Sequence, residues 1–249
     1  MRIRTVKGKA ATILVCDATS EVAEWLKAQD PNELLSKAKQ VEDRFARQKV
    51  MEVSTPYGKF LLKRYHRRLR GSKALRELKR GMALSERGIP CVPPVAVVRI
   101  HRYELVVTPY RSELISGINL VWGGLWEKLC PARRRLVIET VAQLTAALHN
   151  AGFVHGDLNS SNILFENLFE GEMRAYIIDL GSVKAKKSLS SRAKDVARLW
   201  RSTRRIVSNK EALRFLLIYS AATGQNCRRL LRSVADRVEW LDKKKPIRD

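Results

Sequence analysis

The sequence predicts an α+β fold of two lobes, a small N-terminal one built on a mainly antiparallel sheet with one helix and a mainly helical C-terminal one. Three observations carry this. Short strand-like runs punctuated by turn residues dominate between Val41 and Thr108, a Pro109-Tyr110-Arg111 break follows them, and long helical periodicities fill most of the chain beyond it. The expected division is therefore an N-terminal extension over 1–40, a first lobe over 41–108, and a hinge with the second lobe over 109–249.

In the extension, Thr12 to Cys16 is an apolar run of strand length, and a helical stretch from Glu21 is interrupted near Asp30-Pro31. The basic N-terminus before Ala10-Ala11-Thr12-Ile13-Leu14-Val15-Cys16 has the outline of a short leader, but Asp17 ends the apolar part early, and a buried strand is the better reading. From Val41 to Tyr65 the signal becomes a hairpin: Val50 and Val53, the turn Thr55-Pro56-Tyr57-Gly58, then Phe60-Leu61-Leu62-Lys63. A helix from about Ser72 carries Leu75, Leu78 and Met82 on one face, with Gly88 as its stop. Val95 to Ile100 and Tyr103 to Thr108 complete the strands. Pro131 opens a long helix whose Val137, Val141, Leu144 and Leu148 share a face, and Gly152 closes it. Strands near Ile163 to Phe165 and Tyr176 to Ile178 precede the last helices.

Composition narrows the partners. Lys and Arg number 48 against 25 Asp and Glu, a formal charge of +23, which suits nucleic acid, anionic lipid or a phosphorylated substrate. Cys16, Cys91, Cys130 and Cys227 stand far apart, so the sequence suggests neither a zinc site nor a disulfide framework, and a reducing cytoplasm fits. No apolar run approaches the roughly 20 residues that span a bilayer.

The chemistry is concentrated in three places. Asp157 and Asn162 stand five positions apart in His155-Gly156-Asp157-Leu158-Asn159-Ser160-Ser161-Asn162, a carboxylate for an acceptor hydroxyl and an amide oxygen for a hard cation such as Mg²⁺. The strand Tyr176-Ile177-Ile178 runs into Asp179-Leu180-Gly181, a second oxygen ligand at a turn. Lys63 ends a strand and Glu77 lies 14 positions on in the next helix, so the two can pair and present a cation to the ATP phosphates. Singly, each has an ordinary reading: a surface lysine, a solvated helix charge, a capped turn. As an ordered set on the expected elements they form a far more specific signal for ATP- and Mg²⁺-dependent phosphoryl transfer. His155 reads as an imidazole that braces the loop.

This set resembles the protein-kinase-like superfamily and, within it, the bacterial lipopolysaccharide kinases, which phosphorylate Kdo or heptose of the inner core. The resemblance rests on Leu62-Lys63-Arg64-Tyr65, on His155 through Asn162, and on Asp195-Val196-Ala197-Arg198-Leu199-Trp200-Arg201-Ser202. It implies Asp157 as base, Asn162 and Asp179 on Mg²⁺, and Lys63 held by Glu77. Asn159, where many relatives have a phosphate-binding lysine, falls among the nucleotide contacts, and Asp195 orients the loop backbone. It also implies an acceptor glycolipid at the cytoplasmic leaflet, with the basic surface on anionic membrane. The sequence departs from protein kinases in carrying only Gly58 over residues 41–60, no arginine before Asp157, and no Ala-Pro-Glu between Gly181 and Asp195. An atypical RIO/Bud-like Ser/Thr kinase acting near ribosomes or RNA-bound complexes stays open as an alternative. A nucleic-acid-binding pseudokinase, motivated by the charge and by Arg228, Arg229 and Arg232, is less favoured.

Overall fold

The computed structural model describes residues 2–8, 11–16, 20–40, 50–66 and 71–244. They form two compact units, Met1–Ser112 and Glu113–Asp249, dividing just beyond the Pro109-Tyr110-Arg111 break.

The first unit contains β1 (Ile3–Lys7), β2 (Thr12–Cys16), α1 (Ser20–Ala28), α2 (Pro31–Lys37), β3 (Lys39–Gln40), β4 (Val50–Thr55), β5 (Gly58–His66), α3 (Lys73–Ser85), β6 (Ala96–Arg99) and β7 (Tyr103–Pro109). Its seven strands run β1-β2-β6-β7-β5-β4-β3 with every pairing antiparallel. Period-two alternation gives the sheet two apolar faces. Phe60, Leu62, Leu105 and Val107 point to the side covered by Val22, Ala23, Leu26 and Leu34 of α1 and α2. Tyr65, Val97 and Val106 point to the side covered by Ala74, Leu78 and Met82 of α3.

The segment over 1–40 lies within the first unit. It is no appendage: β2 pairs with β6 from Thr12↔Arg99 to Val15↔Ala96, and α1 and α2 bury one whole face of the sheet. Helices thus cover both faces of the sheet. The run Ile13 to Cys16 is buried throughout because both faces of β2 are covered.

Local signals fix the β4–β5 hairpin and α3. Thr55 Oγ1 accepts from the Tyr57 N–H at 3.0 Å and donates to the Gly58 carbonyl at 2.8 Å, and Gly58 takes φ 105°. Ser72 caps α3 by accepting the Leu75 N–H at 2.8 Å.

The second unit contains β8 (Ile115–Ser116), α4 (Gly117–Val121), α5 (Leu125–Lys128), α6 (Pro131–Asn150), β9 (Phe153–Val154), β10 (Ile163–Glu166), β11 (Arg174–Ile177), β12 (Lys184–Ala185), α7 (Leu189–Thr203), α8 (Asn209–Thr223) and α9 (Cys227–Lys244). Pro131 is the first residue of α6, whose Val137, Val141, Leu144 and Leu148 are buried as the spacing requires. Two small sheets, β11-β10-β8 and β12-β9, frame the segment between α6 and α7. The two-residue strands carry no periodicity of their own; pairing alone defines them.

Candidate active site

In the first unit the predicted strand-to-helix pair is present. Lys63 Nζ lies 3.6 Å from Glu77 Oε1, with the two side chains 15% and 5% exposed. A third residue completes the arrangement: Tyr65 donates its hydroxyl to Glu77 Oε2 at 2.7 Å, and its ring lies 5.2 Å from the Lys63 ammonium. A buried carboxylate needs such partners on both oxygens. Tyr65 was absent from the sequence-based site; its signal was position, two residues after Lys63 and so on the same face of β5.

In the second unit, β9 leads into the loop from His155 to Asn162, which ends in a short 3₁₀ turn over Ser160–Asn162. Asp157 is exposed, with Arg198 Nε 4.0 Å from its Oδ1. Two asparagines hold the loop through main-chain atoms of Asp157. Asn162 Nδ2 donates to the Asp157 carbonyl at 2.8 Å, and Asn159 Nδ2 donates to the same oxygen at 2.9 Å. The Asn162 amide nitrogen is thus committed to the loop, while among the described residues its Oδ1 receives no hydrogen bond, the orientation a metal ligand needs.

Asn159 differs from its expected part. Its Oδ1 accepts from the Ser161 N–H at 2.9 Å and the Ser161 hydroxyl at 2.5 Å, capping the 3₁₀ turn. With its oxygen on Ser161 and its nitrogen on Asp157, the side chain builds the loop instead of reaching outward as a lysine does. Asn159 thus positions the loop.

Asp179 follows β11 in a left-handed conformation, φ 55° and ψ 58°, one of two non-glycine residues at positive φ among those described. Asp tolerates this region better than most residues, yet holding it there requires support. Support comes from both sides: the Ile178 N–H donates to the Asn162 carbonyl at 3.1 Å, and His155 Nε2 bonds the Ile178 carbonyl at 2.9 Å. The Asp157 N–H approaches His155 Nδ1 at 3.3 Å, so Nδ1 is the acceptor and Nε2 carries the proton. His155, fully buried, is the brace expected of it, and it ties the Asp157 loop to the Asp179 turn.

Beneath the loop, α7 acts through three residues on one face. Asp195, 1% exposed, accepts the His155 N–H at 2.6 Å on Oδ2 and the Gly156 N–H at 2.9 Å on Oδ1. Two helical turns later Ser202 Oγ accepts the Ser160 N–H at 2.9 Å. Arg198, between them, reaches Asp157. The i, i+3, i+7 spacing of these residues was the legible sign that they address one object.

Behind Asp195 sits a buried relay. Tyr219 bonds His149 Nδ1 at 2.6 Å, and His149 Nε2 lies 3.3 Å from Asp195 Oδ2. Burial pushes the imidazole of His149 below its ordinary range, against the pull of Asp195, and burial pushes the Tyr219 phenol up to about 12. A neutral His149 thus donates to the carboxylate and accepts from the phenol. Protonation of His149 is opposed in the folded state and free in the unfolded one, so its contribution to stability is full above about pH 6.5 and is lost as pH falls below it. Thermal melts between pH 7.5 and 5 are expected to show that loss, reduced in His149→Gln.

Gly156 is required by geometry. It takes φ 82°, and a Cβ there would lie 2.6 Å from the Ser182 carbonyl oxygen. Gly156→Ala is expected to cost about 1–3 kcal/mol, seen in urea unfolding, and to displace the loop.

Under the loop, α6, α7, α8 and α9 surround an apolar cavity of about 870 Å³, lined by residues including Ile138, Ile163, Leu199, Phe215, Leu216 and Val234. Nothing in the sequence announced it, because each lining residue also fits an ordinary helical core.

These features fit ATP and Mg²⁺. Oxygen donors from one amide and one carboxylate suit a cation that takes its remaining ligands from phosphates and water, and among the described residues no cluster of three or more His, Cys, Asp or Glu offers a protein-only cage. When bound, the metal neutralises phosphate charge. The first unit carries a paired strand lysine, and the second a carboxylate on a braced loop and an acidic residue at a turn; these are the residue types of a phosphotransferase of the protein-kinase-like fold that acts on an alcohol group.

Comparison with known proteins agrees. Residues 35–233 match the lipopolysaccharide kinase (Kdo/WaaP) family, and the chain belongs to it. A solved structure, "WaaP in complex with acyl carrier protein", shares the fold with a TM-score of 0.68 at 20% identity, covering 97% of each chain. Two curated relatives, each a "Probable bifunctional tRNA threonylcarbamoyladenosine biosynthesis protein", match partially. That of Methanosarcina barkeri is 43% identical over 75 residues, 30% of this chain, and that of Methanosarcina acetivorans is 47% identical over 58 residues, 23% of this chain. The match spans only 13% and 10% of those relatives' own lengths.

Proposed function

We propose that the protein transfers the γ-phosphoryl group of ATP to a sugar hydroxyl, Kdo or heptose, of the lipopolysaccharide inner core. The observation that carries this is the Asp157 loop held at both ends by Asp195 and Ser202 of α7, in a chain whose family is that of lipopolysaccharide kinases. Asp157 takes the acceptor proton, Asn162 and Asp179 hold Mg²⁺, and Lys63, fixed by Glu77 and Tyr65, neutralises nucleotide phosphates. With an exposed carboxylate and an acceptor at the inner leaflet, the +23 charge serves attraction to anionic membrane, each Lys or Arg near the surface adding about 1 kcal/mol. We place the protein peripherally at the cytoplasmic face on that ground.

The apolar cavity suits an aliphatic chain, and the solved neighbour is a complex with acyl carrier protein, so a carrier-borne acyl chain is the occupant we assign to it. Native mass spectrometry of the purified protein tests this by looking for a retained carrier or acyl mass.

The partial relatives are named for tRNA modification, and beside them we keep one second reading, an atypical Ser/Thr kinase that acts on protein near RNA-bound complexes. Labelled ATP offered in parallel with inner-core glycolipid, free sugars and protein substrates separates the two: label on glycolipid supports the first, and label confined to protein overturns it.

A further inference from the structure

Arg198, Arg237 and Lys184 gather as like charges about Lys194, Arg198 reaches the Asp157 loop, and among the described residues Lys184, Lys194 and Arg237 form no ion pair with a carboxylate. Lys194 and Arg198 stand one helical turn apart on α7. Arg237 comes from α9, which is locked to α7 by Arg201 and Arg204 on Asp242 at 2.7 and 2.8 Å. Lys184 pairs with Val154 across β12 and β9, next to the residue that opens the loop. The only carboxylate oxygen reached by any of the four among the described residues is Asp157 Oδ1, 4.0 Å from Arg198 Nε. Among the described residues two guanidinium nitrogens are buried with no hydrogen-bond partner on this side, Arg198 Nη1 and Arg237 Nε.

Such an arrangement is unfavourable unless something fills it. Buried donors left unbonded cost stability, and like charges held together repel. The repulsion is visible at Lys194, whose pKa is lowered first by burial and then by Arg198, Arg237 and Lys184. By contrast the neighbouring cations Arg201 and Arg204 are neutralised by Asp242. Lys194, Arg198 and Arg237 thus differ from a solvated basic face in being partly buried, with Arg237 stacked on the Trp240 ring at 4.0 Å and Arg198 beside the residue assigned as base, while Lys184 adds an exposed charge to the group.

We propose that Lys184, Lys194, Arg198 and Arg237 form an anion subsite that holds a phosphate or carboxylate group of the acceptor and so sets the hydroxyl presented to Asp157. This rests on the sugar-kinase reading for the identity of the acceptor, but not for the existence of the anion site. A planar guanidinium grips an oxyanion with two parallel hydrogen bonds, which gives the subsite orientation as well as charge. Arg198 has both functions in reach, one nitrogen toward Asp157 and another unbonded, and is the positioning residue of the set.

The probe is inorganic phosphate, titrated calorimetrically into the full chain with a saturating non-hydrolysable ATP analogue and Mg²⁺ present, so that the nucleotide groups are engaged. One phosphate is expected to bind, weakened about tenfold by Arg237→Gln and again by Lys194→Gln. Two variants on different helices guard against misfolding of either, and each is checked by its melting temperature. In turnover, both variants are expected to raise KM about tenfold for an acceptor that bears the anionic group while changing kcat less, and to leave KM unchanged for the same acceptor with that group removed. Equal phosphate binding by wild type and both variants overturns the subsite. Normal loss of phosphate binding in a protein that phosphorylates no sugar leaves the subsite standing and overturns the sugar-kinase reading instead. Equal loss on charged and uncharged acceptors shows a general structural effect and also overturns the proposal.

Discussion

Asp157→Asn is expected to lower kcat by about 10²- to 10⁴-fold while the protein stays folded and keeps its affinity for ATP. The substitution removes the proton acceptor and the charge that faces Arg198, and leaves the hydrogen bonds that hold the loop. Asn159 and Asn162 hang on the main-chain carbonyl of Asp157, not on its carboxylate, so the loop survives the change. The side chain is 56% exposed, and such substitutions shift stability by no more than about 0.5 kcal/mol. Steady-state kinetics with a melting curve on the same preparation decide it: a folded Asp157→Asn protein with full turnover contradicts the assignment.

Asp195→Ala is expected to be the most destabilising single change in the second unit. It orphans the His155 and Gly156 N–H donors and strips His149 of its carboxylate partner. Charge-assisted bonds of this kind contribute about 1.5–3 kcal/mol each, so the two main-chain bonds give a loss of about 3–6 kcal/mol, or a drop in Tm of roughly 6–24 °C. Activity falls with it, because the loop that carries Asp157 loses its anchor. Asp195→Asn retains one acceptor oxygen but turns an amide toward the other donor, and an intermediate loss is expected. If the effect runs through loop position, kcat falls more than the KM for ATP, and the two variants rank in the same order in kcat and in Tm. Equal melting temperatures for wild type and Asp195→Ala contradict the account.

The sequence made some of this legible and left the rest closed, for identifiable reasons. The β4–β5 hairpin, α3 and α6 were readable because punctuating residues bounded clear periodicities: Thr55 to Gly58, Ser72 with Gly88, Pro131 with Gly152. Asp157, Asn162 and Asp179 were readable because their spacing is fixed by a short loop and a strand end. Membership of β1 and β2 in the sheet was not, since an apolar run states that it is buried but not beside which strand. For Asn159, spacing gives the place in the loop but not the direction of the side chain, which caps a local 3₁₀ turn. Tyr65, Ser202 and the His149–Tyr219 pair carry their function through contacts between distant segments, which no local pattern records.

The central claim concerns where the phosphate goes. Incubating the protein with ATP, Mg²⁺ and a defined inner-core glycolipid, then examining the glycolipid by mass spectrometry and ³¹P resonance, tests it most directly. The account predicts a gain of one phosphate, esterified to a Kdo or heptose hydroxyl, absent with Asp157→Asn. A glycolipid left unmodified while ATP is consumed and phosphate appears on protein serine or threonine would contradict it.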